Sequence, residues 1–245
     1  MQSFGGADGA NPESGLIQAS NGEFYGTTVS TIYSIVPGGT PVVLANVGSD
    51  APLIQGTDGN FYGTTAGGAA DGCSGECGTV FKMTPEGAVT TLYTFDGTGG
   101  YNPQFGLVQG TDGNFYGTTA FGGSNYCGDG QPLYCGTIFK ITPAGALTTL
   151  YSFCEQGDYC PDGFDPSGLI QGSDGNFYGT TLSGGGNNLG YPGFGTVFKI
   201  TPAGTLTTLH AFDGTDGDEP GYGVIQGPDG NFYGTTSFGG FPPAQ

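Results

Sequence analysis

The chain has 245 residues, including 53 Gly and 16 Pro, and its 21 Asp and Glu outnumber 3 Lys, with no Arg. A formal net charge of −18 excludes a protein that tracks nucleic-acid phosphates or anionic membrane surfaces. The glycine content approaches that of disordered chains, but 18 Phe and 14 Tyr supply enough apolar surface for a core. We therefore expect a folded acidic protein with no nucleic-acid partner and no membrane insertion.

The strongest feature of the sequence is a phrase that recurs along the chain. It reads Gln-Gly-x-Asp-Gly-Asn-Phe-Tyr-Gly-Thr-Thr. A looser copy begins at Gln18, and the closer copies begin at Gln55, Gln109, Gln171 and Gln226. A repeat of several tens of residues is typical of solenoids, propellers and other arrays.

A second phrase, Gly-Thr-Val-Phe-Lys-Ile-Thr-Pro or a near copy, occupies residues 78–85, 136–143 and 195–202, and each copy leads to a Leu-Thr-Thr-Leu-like run. Each repeat thus contains four short runs rich in β-branched and aromatic residues, which predict four strands, here named a, b, c and d. Asp-Gly between a and b, and Pro with Gly between c and d, predict tight turns.

Four antiparallel strands that are joined by tight turns and repeated predict an all-β propeller of about five four-stranded blades, with a solenoid of open meanders as the alternative. We place the blades at about 15–47, 52–96, 106–153, 168–212 and 223–245 plus 1–4, within one domain of residues 1–245. No c strand follows in the last blade, which is therefore incomplete. Because an open sheet edge invites pairing, we expect further copies or further repeats to complete it, and repeated completion would build a filament.

Three residue types at fixed positions of the repeat are expected to be structural. Glycine interrupts each b strand, as at Gly63, and we expect the adjacent blade to approach closely there. The aspartates of the a–b turns, such as Asp58, should form turns and not catalyse. Lys82 and its equivalents share one position of strand c.

The phrases Gln-Gly-Ser-Asp-Gly-Asn-Phe-Tyr-Gly-Thr-Thr at 171–181 and Gly-Thr-Val-Phe-Lys-Ile-Thr-Pro-Ala-Gly at 195–204 resemble the GloVer tandem repeat of bacterial exported proteins. The resemblance covers nearly the whole chain, although residues 30–47 depart from the pattern. It implies a repeat-built extracellular β-protein of the bacterial surface. It brings no activity and no catalytic residues with it.

Six cysteines lie in three close pairs. An even number in short Gly-rich segments favours local disulfides and an oxidising location, outside the cell or at its surface. A metal site is the alternative, but zinc would need further ligands, and the single His210 lies in a predicted strand. The predicted pairs are Cys73/Cys77, Cys127/Cys135 and Cys154/Cys160.

Strand direction alternates within a blade, so the b–c loops and the d–a crossovers should share one pole, which then carries the variable segments. Variable loops on a repeated scaffold are where binding usually resides. Aromatic rings there can stack on sugars and carboxylates can accept hydroxyl protons, which predicts carbohydrate recognition; loop packing and solubility are the alternative roles. The candidate ligand-binding residues are Tyr101, Phe121, Tyr126, Tyr159, Asp162, Asp165, Tyr191, Asp213, Asp218 and Tyr222.

Calcium is a second interpretation of the acidic residues. Asp213, Asp216 and Asp218 offer oxygen ligands at alternating positions, although no closing glutamate stands at the EF-hand spacing. No other cofactor is expected from the sequence.

An enzymatic function is not favoured by the composition. Without Arg there is no bidentate clamp for anionic substrates, and one His leaves no spare base for a Ser or Cys nucleophile. A glycoside hydrolase needs only two carboxylates and is therefore the catalytic alternative. Its candidate pairs combine Asp162 or Asp165 with Asp213, Asp218 or Glu219.

Overall fold

The computed structural model describes residues 10–12, 14–49, 51–67, 77–125, 135–155, 160–186 and 193–240. These residues form nineteen strands in five antiparallel sheets, and no helix occurs among them. Accordingly, nothing in the described ranges is a helix long and apolar enough to cross a membrane.

The first three sheets are four-stranded meanders whose strands a to d follow one another in chain order. The first sheet contains β1 (Ile17–Gln18), β2 (Phe24–Thr27), β3 (Ile32–Ile35) and β4 (Val42–Ala45). The second contains β5 (Ile54–Gln55), β6 (Phe61–Thr65), β7 (Thr79–Met83) and β8 (Val89–Thr94). The third contains β9 (Val108–Gln109), β10 (Phe115–Thr119), β11 (Thr137–Ile141) and β12 (Leu147–Ser152).

The last two sheets differ from the others in their number of strands: the fourth has five, and the fifth has two among the described residues. An additional strand from the preceding crossover pairs with strand b of the fourth sheet, and the fifth sheet has only strands a and b among the described residues. The fourth sheet contains β13 (Phe164–Pro166), β14 (Ile170–Gln171), β15 (Phe177–Ser183), β16 (Thr196–Ile200) and β17 (Leu206–Ala211). The fifth contains β18 (Val224–Gln226) and β19 (Phe232–Gly234).

The a–b turns form as the Asp-Gly pairs predict. In the third sheet, Gly113 has a φ of +79° and donates its N–H to the Gly110 carbonyl over 2.9 Å. Asp112 accepts hydrogen bonds from the Asn114 backbone N–H (3.1 Å) and from Lys140 Nζ (2.7 Å). Burial alone would raise the pKa of Asp112, but these donors outweigh it and hold the pKa well below its usual range. The turn aspartate and the strand-c lysine are both structural.

In the first four sheets, the glycine of strand b makes room for an aromatic ring of its own sheet. Gly117 pairs across the ladder with Phe139, and a Cβ on Gly117 would lie 2.6 Å from Phe139 Cζ and 2.8 Å from Leu107 Cδ2. Gly63 meets Phe81 in the same way. The expectation that the adjacent blade approaches here is wrong, because the strand-c phenylalanine folds back over the glycine and occupies that space.

Neighbouring sheets are joined by aromatic stacking between their b strands. The tyrosine of one strand b lies face to face with the phenylalanine of the next, and four such pairs run through the molecule. They are Tyr25–Phe61 (4.1 Å between ring centroids), Tyr62–Phe115 (3.9 Å), Tyr116–Phe177 (4.0 Å) and Tyr178–Phe232 (3.9 Å). The sheets therefore follow one another as the blades of a β-propeller, as predicted, and the fifth blade has only strands a and b among the described residues.

Each junction that has a stacked aromatic pair also has a hydrogen bond between the two sheets. In the second to fifth sheets, the glutamine of strand a accepts, through Oε1, a backbone N–H from the a–b turn of the preceding sheet. The donor–acceptor pairs are Ser20–Gln55 (2.8 Å), Thr57–Gln109 (2.9 Å), Thr111–Gln171 (3.0 Å) and Ser173–Gln226 (2.9 Å). The turn pole is thus locked from one blade to the next.

The b–c loops and the d–a crossovers meet at the other pole, as alternating strand direction predicts. Asp165 in a crossover donates its backbone N–H to the carbonyl of Cys135 in a b–c loop over 3.0 Å, and Glu219 does the same to Phe194 over 3.2 Å. Residues 1–4, which we predicted to join the last blade, lie outside the described residues.

Substitution of the strand-b glycine tests this packing. We expect Gly117→Ala to lower the free energy of unfolding by about 1–3 kcal/mol, because the new methyl group overlaps the Phe139 ring. Gly15→Ala is the matched control, since no atom lies within 4 Å of its added Cβ. Urea unfolding followed by tyrosine fluorescence measures both. Equal effects of the two substitutions would contradict the close packing at Gly117.

Candidate functional site

An open cavity of about 300 Å³ lies at the loop pole, where the crossovers that enter the third, fourth and fifth sheets converge. It combines two carboxylates with an aromatic wall and amide and aliphatic groups. Its lining includes Gln104, Phe105, Asp165, Leu182, Glu219 and Tyr222. We take this cavity as the candidate functional site.

The backbone presents the two carboxylates of the cavity in the same unusual conformation. Asp165 and Glu219 each precede a proline, and their φ angles are +55° and +53°. Asn and Asp enter this left-handed region more readily than other non-glycine residues, and such residues often mark functional sites. The crossovers thus place equivalent residues from neighbouring blades in the lining of one cavity.

This X-Pro step is repeated in other crossovers and was not among the predicted features. Asn102 before Pro103 has a φ of +59°, and Asn11 before Pro12 has a φ of +52°. The prolines recur at a fixed place in the crossovers, so the signal is present in the sequence. The residue before each proline varies from Asn to Asp to Glu, which concentrates acidic groups in the later blades.

Asp165 is the electrostatically unusual member of the cavity. Its burial raises the pKa of its carboxyl group to about 6. Glu219 is half-buried in the same cavity. A carboxyl group that is partly protonated near neutral pH can donate a hydrogen bond as well as accept one. Asp165 can therefore bind a hydroxyl group or exchange a proton with a ligand, and Glu219 adds a second acidic residue to the lining of the cavity.

The aromatic residues of the cavity differ in exposure. Tyr222 is 84% exposed, so its ring is free to meet a ligand. Phe105 is half-buried and forms part of the wall. Of the predicted ligand-binding residues, the structure brings Asp165 and Tyr222 together here. Gln104 and Leu182 complete the cavity and were not predicted.

Two predicted ligand-binding residues are buried and therefore pack the loops. Tyr101 is 1% exposed, and its ring centroid lies 5.4 Å from that of Phe121, which is half-buried. Asp162 is 0% exposed and accepts hydrogen bonds from Tyr151 Oη (2.7 Å) and from the Glu155 backbone N–H (3.3 Å). Burial removes both side chains from the surface that a ligand would contact. Tyr126, Tyr159 and Tyr191 lie outside the described residues.

Two carboxylates of the predicted calcium loop, those of Asp213 and Asp216, bind groups of their own loop and its strand. Asp213 Oδ1 accepts the backbone N–H (2.9 Å) and the hydroxyl (2.6 Å) of Thr215. Asp216 Oδ2 lies 2.7 Å from His210 Nε2, and Asp218 pairs through its backbone with Phe238. Within the described ranges, Asp213, Asp216 and Asp218 do not form a close set of metal ligands.

The described cysteines are oxidised. Cys154 and Cys160 form the predicted disulfide with 4.4 Å between their Cα atoms. Cys77 and Cys135 are also disulfide-bonded, and their predicted partners, Cys73 and Cys127, lie outside the described residues. The sulfur atoms of Cys135, Cys154 and Cys160 lie within 4.8 Å of one another, but disulfide sulfurs lack the thiolate that a metal requires.

The sheets and their stacking define the chain as a β-propeller with a cavity at the loop pole. More particularly, it belongs to the family described as the Gloeobacter/Verrucomicrobia repeat, which matches residues 1–128 and 49–242. This confirms the resemblance that the two recurring phrases carry. No curated protein matches the chain.

Several solved propellers share the fold at low identity. The chain is similar to virginiamycin B lyase from Staphylococcus aureus, with 19% identity, a TM-score of 0.60, 92% of this chain covered and 63% of the lyase. It is also similar to a streptogramin B lyase, with 16% identity, a TM-score of 0.57, and coverage of 90% of this chain and 67% of that protein. A gluconolactonase from Xanthomonas campestris has 14% identity and a TM-score of 0.56, with 95% of this chain and 78% of that protein covered. The chain thus spans less than two thirds of the staphylococcal lyase, and these likenesses concern the fold alone.

The raised pKa of Asp165 predicts a pH dependence of stability. The folded pKa of about 6 exceeds the ordinary value of 3.8, so the stabilising contribution is complete below about pH 4 and is lost as the pH rises through 6. We expect Asp165→Asn to raise the free energy of unfolding at pH 7.5 by up to about 3 kcal/mol and to change little at pH 3.

Asp96→Asn is the control of opposite sign. Hydrogen bonds from Thr98 hold the pKa of Asp96 below its usual value, so this substitution should lower stability at pH 7.5. Urea unfolding across pH 3–8 measures both variants. A flat difference between Asp165→Asn and the wild type over this range would show that the carboxyl group is not perturbed.

Proposed function

We propose that the protein is an extracellular, non-catalytic propeller module that recognises carbohydrate in the cavity at its loop pole. The observation that carries the proposal is the exposed ring of Tyr222 at a cavity that also holds Asp165 and Glu219. A sugar presents a C–H face and several hydroxyl groups. The tyrosine ring can stack on the C–H face, and the carboxylates can accept hydrogen bonds from the hydroxyl groups.

The charge of the cavity favours a neutral glycan. None of the three lysines is among its lining residues, and there is no Arg in the chain. In addition, Lys82 and Lys140 are paired with turn aspartates at the opposite pole. An acidic sugar would meet two carboxylates without a compensating cation, which disfavours binding.

The extracellular location rests on the chemistry of the cysteines and on the family. The Cys154–Cys160 disulfide persists in oxidising compartments and is rare in the reducing cytosol. The resemblance to repeats of exported bacterial proteins supports the same location. The module would then meet glycans at or beyond the cell surface.

Glycoside hydrolysis is the second candidate function. Asp165 and Glu219 were one of the predicted catalytic pairs, and both line the cavity. A carboxyl group with a pKa of about 6 suits a general acid, and the second carboxylate would serve as base or nucleophile. The propellers of similar fold include lyases and lactonases, but their low identity transfers no activity to this chain.

A glycan array with the wild type and two tyrosine variants tests recognition. Tyr222→Ala should reduce retention of the bound glycan at least tenfold, because a ring-stacking surface is lost. Tyr233→Ala is the matched control, since Tyr233 is also exposed (52%) but lies next to an a–b turn at the opposite pole. The proposal fails if no neutral glycan binds, or if both substitutions have the same effect.

Product release from labelled polysaccharide tests the catalytic alternative. If the pair hydrolyses a glycosidic bond, Asp165→Asn and Glu219→Gln should each reduce the rate by about 10²–10⁴-fold. The hydrolysis rate of the wild type should fall as the pH rises above about 6, because Asp165 then loses its proton. If the wild type binds the polysaccharide but releases no product, hydrolysis is excluded and glycan recognition is supported.

A further inference from the structure

Three cysteine sulfurs from two disulfides lie together at the loop pole, and we call them the sulfur cluster. The Sγ atoms of Cys135, Cys154 and Cys160 lie within 4.8 Å of one another. Cys154 and Cys160 are bonded to each other, whereas Cys135 belongs to a different disulfide. All three side chains are buried and belong to one hydrophobic cluster. Two disulfides are therefore packed side by side, away from solvent.

The ladder between strands c and d of the third sheet brings Cys135 and Cys154 together. The Phe153 N–H donates to the Gly136 carbonyl over 3.1 Å, which continues the register of β11 and β12. Cys135 precedes Gly136 and Cys154 follows Phe153, so the two cysteines stand at the same level of the sheet. Side chains that face each other across two antiparallel strands are close enough for a disulfide to join them.

Among the described sheets, only the third has cysteines at both of these positions. In the second sheet the equivalent residues are Cys77 and Asp96, and in the fourth sheet they are Phe194 and Asp213. Each of these aspartates accepts hydrogen bonds within its own crossover. Cys154 thus replaces a turn-forming aspartate and places a second disulfide beside the first.

Hydrogen bonds fix the backbone around the sulfur cluster. The Cys135 carbonyl accepts the Asp165 N–H over 3.0 Å. The Cys160 carbonyl accepts the N–H groups of Gly163 (2.8 Å) and Gly185 (2.9 Å). Because these bonds hold both segments, a sulfur of the cluster that loses its own bond remains beside the other two.

A thiolate exchanges with a disulfide by attack on one of its sulfurs. We propose that the sulfur cluster is an internal thiol–disulfide exchange site, in which the thiolate of Cys135 attacks Sγ of Cys154. The bond between Cys135 and Cys154 forms while the bond between Cys154 and Cys160 breaks. The electron pair of the broken bond leaves on Cys160, which then takes up a proton. The exchange step involves no net oxidation or reduction.

The thiolate of Cys135 arises from its other disulfide. An external dithiol or phosphine supplies two electrons to that disulfide and is itself oxidised, which frees Cys135 for the attack. The chemical class of partner that the site requires is therefore a reductant of disulfides. The exchange does not depend on what the cavity of the loop pole binds.

The exchange moves a covalent link from one segment to another. The Cys154–Cys160 bond closes a loop within the crossover, and the φ angles at its two ends are +61° and +44°. Left-handed backbone is unfavourable for residues other than glycine, so release of Cys160 allows this loop to relax. The new bond joins the crossover to Cys135, whose carbonyl holds the backbone of Asp165 in the cavity lining. The redox state of Cys135 thereby changes how this crossover is tethered.

Removal of the predicted partner of Cys135 tests the exchange without any reductant. In Cys127→Ser the Cys135 thiol is free from the start, and we expect the free thiol to redistribute over the sulfur cluster in the folded protein. After incubation at pH 8, the chain is unfolded in excess N-ethylmaleimide and mapped by peptide mass spectrometry. The label should lie on Cys160 in at least about a tenth of the molecules, together with a peptide that links Cys135 to Cys154.

Cys73→Ser is the matched control. It frees Cys77, the predicted partner of Cys73, which has Asp96 at the equivalent position instead of a second cysteine. Among the described residues, Cys77 is not part of the sulfur cluster. The label should therefore stay on Cys77. A label spread over several cysteines in this control would overturn the proposal, because exchange would then not require the cluster.

Limited reduction of the wild type tests the site in the unaltered chain. A water-soluble phosphine reduces disulfides at both pH 3 and pH 8, but thiolate, the attacking species, is present in quantity only at the higher pH. With one equivalent of phosphine, the peptide that links Cys135 to Cys154 should form at pH 8 and not at pH 3. This measurement decides the matter even if Cys127→Ser does not fold.

Two further results would contradict the exchange. If no peptide links Cys135 to Cys154 in the wild type after reduction at pH 8, the sulfurs do not exchange despite their proximity. If the same linked peptide is present before reduction, or forms equally at pH 3, it does not arise from attack by a thiolate.

Discussion

The Phe-Tyr pair of strand b is the interaction on which the architecture depends. Adjacent residues of a strand point to opposite faces, so the phenylalanine reaches back to the preceding sheet and the tyrosine forward to the next. Tyr62 and Tyr116 are almost wholly buried in these stacks. Each stacked pair contributes about 0.5–1.5 kcal/mol beyond the area it buries. The pairs also fix the order of the sheets, because a tyrosine face meets a phenylalanine face at every junction.

The same arrangement explains which parts of the fold could be predicted from sequence. The turns around Asp112 and the strands that follow depend on residues close in the chain, so the repeated phrases contain what is needed. The role of Gly117, in contrast, does not depend on residues that are close in the chain. Its neighbour Phe139 is more than twenty residues away, and the sequence alone does not say that this ring folds across its own sheet.

The loop pole was harder to predict because its polar and aromatic residues have two kinds of partner. Tyr101 and Asp162 have the composition of ligand-binding residues, yet the packing of neighbouring loops buries both. A hydrogen bond from Tyr151 makes the burial of Asp162 tolerable. Asp165 and Tyr222 belong to the same segments but reach the cavity, since the X-Pro steps turn the crossovers toward it. The composition therefore identifies the loop segments, but the backbone conformation decides which of their residues line the cavity and which are buried.

Among the described residues, two sides of the fifth sheet have no neighbouring strand or sheet, and these two sides are not equivalent. One is the edge of β19, where the positions that surround a strand-c phenylalanine in other sheets are kept. The other is the face of Tyr233, on which a further sheet would stack. At that face Pro228 stands where Ser173 donates its N–H to Gln226 in the junction before it.

Proline has no N–H, so a further sheet at that face could not form the glutamine hydrogen bond that every described junction contains. The face keeps the exposed ring of Tyr233 but lacks the bond that locks the turn pole from blade to blade. The turn pole of the fifth sheet therefore differs from that of the other four sheets in the one backbone donor that links neighbouring sheets.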